Sequence, residues 1–169
     1  RQISDMFFVD SLAGYITTNI VSDTSYIFKT INGGENWSII YRDSGVIMNR
    51  MQFIDANTGI IGGTYLLKTT NLGENWTKIG DKIFSEDIFF INQDTGWFVK
   101  SNGLTGGIYR TTNGGVNWQL QYAAGSQNPR HIYMYNSRIG FADAAGCVKT
   151  TNGGENWFFV PGAQFFDMY

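Results

Sequence analysis

The chain is poor in the residues that carry catalysis or staple a small fold. It has one cysteine, Cys147, one histidine, His131, and two prolines. A lone cysteine makes no intrachain disulfide and no cysteine metal cluster. Lying between Gly146 and Val148 in an apolar stretch, it reads as a buried structural thiol. A lone histidine supports no Ser-His-Asp set, and a metal there would need carboxylates for its other ligands. No metal site and no cofactor are therefore expected. Charged residues are 15% of the chain, against ~25% in an average soluble protein, and the formal net charge is −2. That balance gives no electrostatic reason to expect nucleic acid or an anionic membrane as partner. There is no run of ~18 apolar residues, so no membrane-spanning helix is expected. The sequence starts at Arg1 without methionine, as a processed or excised product would, so the lack of a signal peptide says nothing about compartment.

Aromatic residues, at 16%, and 21 glycines are plentiful. With so few prolines, they point to many short strands joined by tight turns. One nine-residue phrase is written four times: Lys29-Thr-Ile-Asn-Gly-Gly-Glu-Asn-Trp37, Lys68-Thr-Thr-Asn-Leu-Gly-Glu-Asn-Trp76, Arg110-Thr-Thr-Asn-Gly-Gly-Val-Asn-Trp118 and Lys149-Thr-Thr-Asn-Gly-Gly-Glu-Asn-Trp157. Its tryptophans are 39, 42 and 39 residues apart. A period near ~40 residues marks an array of like units. A residue present in every unit builds the unit before it performs chemistry.

Upstream of each phrase lies a second repeated segment: Phe8-Val-Asp10-x-x-x-Gly14-Tyr15, Phe53-Ile-Asp55-x-x-x-Gly59-Ile60, Phe90-Ile-Asn92-x-x-x-Gly96-Trp97 and Met134-Tyr-Asn136-x-x-x-Gly140-Phe141. Asp or Asn can fold back on backbone amides and Gly tolerates positive φ, so this segment reads as a turn between two strands. A third strand runs into Lys/Arg-Thr, Asn-Gly-Gly makes a hairpin, and Trp opens a fourth strand. Four strands per unit with no helical periodicity predict an all-β fold, a β-propeller of four-stranded antiparallel blades. The blades fall at about 1–45, 46–83, 84–125 and 126–162, with a partial fifth over 163–169, in a single propeller region 1–169. Asp167-Met-Tyr169 matches Asp5-Met-Phe7 and Asp87-Ile-Phe89, the opening of a unit. A closed four-bladed ring has no place for that strand, so the expectation is part of a longer propeller of about six to eight blades, or an open arc. Open blade edges would then invite self-association.

The phrase Thr-x-Asn-x-Gly-x-Asn-Trp resembles the Asp-box, or BNR, repeat, whose pattern is Ser/Thr-x-Asp-x-Gly-x-Thr-Trp. Here Asn32, Asn71, Asn113 and Asn152 stand for the Asp, and Asn36, Asn75, Asn117 and Asn156 for the Thr. With the upstream Asp-x-x-x-Gly-aromatic segment, the chain looks most like the photosystem II stability/assembly-factor-like propellers and related secreted bacterial repeat proteins. The resemblance implies a structural hairpin at the outer edge of each blade. Asn32, Gly34, Trp37, Asn71, Gly73, Trp76, Asn113, Gly115, Trp118, Asn152, Gly154 and Trp157 are accordingly structural, not catalytic. It also implies a scaffold that binds protein or helps a complex assemble, in an extracytoplasmic place: secreted, cell-surface, periplasmic or lumenal.

Sialidases share the box, and their likeness would imply an arginine triad, a Tyr-Glu nucleophile pair and an Asp acid/base. Glu35, Glu74 and Glu155 all fall in the hairpin, and no motif singles out three arginines. Xyloglucan-type glycoside hydrolases also use such propellers, with paired carboxylates about 5–10 Å apart. Asp43, Asp81, Glu86, Asp87 and Asp143 are candidates, but nothing local selects two, and Asp5, Asp87 and Asp167 share one repeat position. No catalytic residue is assigned; a glycoside hydrolase or carbohydrate-binding propeller is the alternative. The uniform turns fall on one face and the irregular connections on the other. Loops carry function on rigid scaffolds, so a binding surface is expected on the irregular face, at Arg42, Asp43, Arg50, Lys82, Tyr122, Asn128, Arg130 and His131.

Overall fold

Three reversals shape each repeat, and the same residue types make two of them every time. The computed structural model describes residues 2–19, 23–101, 105–125, 127–144 and 146–163. The first sheet holds β1 (Gln2–Phe8), β2 (Gly14–Asn19), β3 (Thr24–Thr30) and β4 (Ser38–Ser44). The second holds β5 (Met48–Phe53), β6 (Gly59–Gly63), β7 (Leu66–Thr69) and β8 (Thr77–Ile79). The third holds β9 (Asp87–Phe90), β10 (Gly96–Lys100), β11 (Gly107–Thr111) and β12 (Gln119–Ala123). The fourth holds β13 (Ile132–Met134), β14 (Gly140–Asp143), β15 (Cys147–Thr150) and β16 (Phe158–Val160). Each sheet is an antiparallel meander in chain order, and no α-helix occurs among the described residues. The chain divides into two compact units, Arg1–Phe84 and Ser85–Tyr169, with two sheets apiece. The segment Asp167-Met-Tyr169, read from sequence as the start of a fifth repeat, lies outside the described residues.

The first reversal is the same Asx turn four times. Asp10 Oδ1 accepts from the amides of Leu12 and Ala13, both at 2.7 Å. Asp55 holds Asn57 and Thr58 at 2.8 and 2.7 Å, and Asn92 holds Asp94 and Thr95 at 3.0 and 2.7 Å. Asn136 holds Arg138 and Ile139, both at 2.8 Å. The glycine that follows has a different purpose from the one read in sequence. Gly14, Gly59, Gly96 and Gly140 are not at positive φ. Each is paired across the strands with Phe8, Phe53, Phe90 or Met134, whose side chain lies over it. A Cβ on Gly14, Gly59 or Gly96 would stand 2.6–2.8 Å from that ring, and on Gly140 it would run into Met134 Sδ. Close approach, not backbone handedness, requires glycine here.

The second uniform reversal is the repeated hairpin. Thr30 Oγ1 donates to Asn32 Oδ1 at 2.9 Å and accepts from the Gly34 amide at 3.0 Å, while Asn32 Oδ1 accepts from the Asn36 amide at 3.0 Å. The other three copies repeat these bonds, with the threonine hydroxyls 2.8–3.0 Å from the amides of Gly73, Gly115 and Gly154. All four threonines are 0–2% exposed. The two residues after Asn32 are left-handed, at φ 68° and 94°. Leu72 takes the first of those places in the second sheet at φ 57°, a conformation that costs an L side chain ~1–2 kcal/mol. In each sheet this hairpin is fastened to the first turn, as in Gly33 N to Leu12 O at 2.9 Å and Gly153 N to Arg138 O at 2.8 Å.

The sheets bury their faces pairwise within each unit. In the first, Tyr15 and Ile27 meet Met48, Met51, Phe53, Ile61, Leu67 and Trp76. In the second, Trp97, Val99 and Ile108 meet Ile132, Met134, Ala142, Val148 and Trp157. Each hairpin tryptophan packs close to aromatic side chains of its own sheet or of the sheet before it, as Trp76 lies edge-on to Phe53 at 6.3 Å. Trp76 and Trp157, in the second sheet of each unit, are 7% and 8% exposed, whereas Trp37 and Trp118 are half-buried. Cys147 is buried, which pushes its thiol pKa up.

Candidate functional site

Because the Asx turns and the repeated hairpins are tied to one another, the connections between second and third strands and between successive sheets emerge at the other strand ends. Arg42 and Asp43 belong to β4, Arg50 to β5 and Tyr122 to β12, so these four are strand residues rather than loop residues. Lys82, Asn128, Arg130 and His131 lie in connections. Tyr122 is half-buried against the core of the second unit, and Asn128 is exposed.

In the first unit, Asp43 gathers a polar cluster. Its Oδ2 lies 2.7 Å from Lys78 Nζ and accepts from Tyr41 Oη at 2.8 Å. Burial opposes the charge of Asp43, but the Lys78 and Tyr41 hydrogen bonds and the Lys78 charge outweigh it, so its carboxyl sits below the usual range. The same pairing works against ionisation of the phenol. Burial first, then the hydrogen bond and charge of Asp43, hold Tyr41 far above an ordinary tyrosine. The Lys78 ammonium also stands 4.7 Å above the Tyr65 ring, with that of Lys82 at 5.7 Å.

Tyr15 and Tyr109 are raised too, by burial. Above the ordinary phenol value of 10.0, the unfolded chain ionises these tyrosines before the folded chain does. The stabilisation is full below that pH and is lost as pH climbs towards the folded values. Urea midpoints should therefore drop above about pH 10, and Tyr41→Phe should flatten the drop. A midpoint that falls as steeply in that variant as in the parent would remove Tyr41 from the account.

A second arrangement was missed by reasoning from the sequence. Asp5 accepts with Oδ1 from the amide of Met6 at 2.9 Å and with Oδ2 from Met51, on the next sheet, at 2.6 Å. Asp87 does the same with Ile88 at 2.8 Å and Ile132 at 3.0 Å. Each carboxylate thus staples the first strand of one sheet to the first strand of the next within its unit. The matching residue of the receiving sheet is basic: Arg50, 3.8 Å from Asp5 Oδ1, in the first unit and His131 in the second. The alternation Asp5, Arg50, Asp87, His131 at one repeat position was the available signal.

At the second staple the structure brings Asp87, Arg130, His131 and Asp143 together. Asp143 Oδ1 accepts from the amides of Arg130 and His131 at 2.6 and 2.7 Å, and its Oδ2 lies 3.1 Å from His131 Nδ1. Two candidate carboxylates therefore converge on one strand start; both Asp87 oxygens and Asp143 Oδ1 are engaged by backbone N–H groups, and Asp143 Oδ2 faces the His131 ring. Of the others, Asp81 and Glu86 are exposed in the connection after β8. Among the described residues, no group of three or more His, Cys, Asp and Glu side chains is placed to hold a metal ion.

No family model and no curated protein matches the chain. Solved structures do. YCF48 bound to a D1 peptide aligns over 96% of this chain and 52% of its own, at 22% identity and TM-score 0.63. YCF48 from Cyanidioschyzon merolae aligns over 89% and 50%, at 19% identity and TM-score 0.64. A GH74 enzyme from Niastella koreensis aligns over 96% and 31%, at 14% identity and TM-score 0.72. The chain thus spans about half of the YCF48 structures and under a third of the GH74 enzyme. At these identities the likeness is one of fold. The fold is all-β, built of the four-stranded antiparallel sheets of β-propeller proteins.

Proposed function

We propose that this chain is a non-catalytic Asp-box propeller scaffold that binds a protein partner through its irregular loop face, in an extracytoplasmic setting. The observation that carries the reading is that the repeated polar groups are spent internally. The hairpin Thr hydroxyls, the first Asn of each hairpin, the Asx residues and the Asp5 and Asp87 carboxylates all accept from backbone amides. Only Oδ1 of the hairpin Asn accepts the turn amide, so the amide side chain serves where the Asp-box pattern has a carboxylate. What differs from repeat to repeat is the opposite face, where rigid scaffolds place their recognition residues. A YCF48 propeller bound to a D1 peptide is a precedent for such a fold holding protein.

The second reading, a glycan-acting propeller, draws on the Asp87–His131–Asp143 cluster and on the GH74 likeness. Chemical cross-linking in the native source followed by peptide mass spectrometry separates the two. The scaffold reading expects partner cross-links at Lys82 and at the connections on its side, and a blank glycan array. Glycan binding or hydrolysis without any protein cross-link would favour the second reading and end the first.

A further inference from the structure

In the first unit, three connections on the irregular face meet at one buried threonine. Thr64, 5% exposed, accepts at Oγ1 from the Ile47 amide and donates its own amide to Ile47 O, both at 2.9 Å. Its carbonyl accepts from Ile83 at 3.0 Å and from Phe84 at 3.4 Å. The connections β4–β5, β6–β7 and the one after β8 are thereby held within a residue of one another. Val46 and Ile83 point into the core, whereas Ile47 and Phe84 are 43% and 51% exposed. Phe84 is held at φ 52°, a conformation that a residue with a side chain avoids and glycine adopts freely. A bulky aromatic kept outward on strained backbone is the kind of outlier from which a functional surface is inferred.

Beside this apolar pair lies Tyr65, next to Thr64 in the chain. Lys78 stands over its ring and is matched by Asp43 at 2.7 Å. Lys82, also over the ring, has no ion-pair partner among the described residues. Ammonium groups stand over the Tyr65 ring, so that face is taken by cations rather than left for a sugar to stack on. A carboxylate would complete the charge of Lys82, and an apolar side chain would cover Ile47 and Phe84.

We propose that this patch docks an extended segment of a partner protein in which an apolar side chain adjoins a carboxylate, with Phe84 and Ile47 taking the first and Lys82 the second. The assignment rests on the protein-binding reading above and names the chemistry of its partner.

The test uses the full chain and three fluorescent peptides, Leu-Asp-Leu-Asp-Leu and its counterparts with Asn or Lys in place of Asp, read by anisotropy. The acidic peptide should bind, and the Asn peptide should bind ~10-fold more weakly. Lys82→Gln and Phe84→Gly should each lose a similar factor with thermal midpoints at or above that of the parent, because glycine suits the backbone at position 84. Equal binding of the acidic and Asn peptides, no binding at all, or parent-like binding by both variants overturns the proposal. A cross-linked native partner that binds both variants normally removes the patch and leaves the scaffold reading standing. Binding of glycans alone removes both.

Discussion

Trp157→Ala is expected to destabilise the second unit by about 3–5 kcal/mol, the range for an aromatic side chain cut out of a core. Trp76→Ala should do the same in the first unit, because Trp157 and Trp76 are 8% and 7% exposed and belong to the two core clusters. Trp37→Ala and Trp118→Ala should cost roughly half as much, since their half-buried rings have less surface to return to water. Four residues in one motif position thus split into two classes by tertiary setting alone. Urea unfolding of the four variants is the measurement, with the midpoint reporting stability as long as the slope is unchanged. Equal losses at all four sites would mean that the turn, not the covering sheet, sets the worth of the ring.

Asp87→Ala carries the second large effect. Its oxygens accept from Ile88 at 2.8 Å and from Ile132 at 3.0 Å, and Ile132 is a core residue at 4% exposure. Hydrogen bonds to a charged acceptor are each worth ~1.5–3 kcal/mol, and an amide left without an acceptor adds its own penalty, so a loss of about 3 kcal/mol is expected. Asn keeps one acceptor oxygen, so Asp87→Asn should cost roughly half of that. The decisive readout is site-specific. Hydrogen exchange at the Ile132 amide should quicken in Asp87→Ala while the amide of Gly154, held by Thr150 at 2.8 Å, keeps its protection. The parallel change Asp5→Ala should expose the Met51 amide. Unaltered exchange at Ile132 would show that the carboxylate merely sits beside that strand.

The staple also marks how far a one-dimensional reading carries. Spacing alone shows that Asp5 and Asp87 occupy one repeat position. Their partners Met51 and Ile132 are 46 and 45 residues away, and nothing local in the sequence names them. The Asp43–Lys78–Tyr41 cluster is of the same kind, because Lys78 comes from β8 of the neighbouring sheet. The Thr64 meeting point is likewise invisible until three connections are brought together.

The repeated glycine is the sharper lesson. Glycine tolerates positive φ, and Gly33 and Gly34 adopt it, but Gly14, Gly59, Gly96 and Gly140 do not. There the cross-strand Phe or Met side chain occupies the space where a Cβ would stand. Both uses leave the same letter in the sequence, and only register distinguishes them.

By itself the sequence determined the strand count per repeat, the Asx turns and the Thr-Asn hairpins. The hydrogen bonds that make those turns span two to four residues, so composition and spacing suffice to specify them. Tertiary structure alone decided which tryptophans are covered, which carboxylates join neighbouring sheets and which irregular connections share a surface. Those outcomes depend on contacts between residues tens of positions apart, whose pairing is chosen by the packing of one sheet on the next.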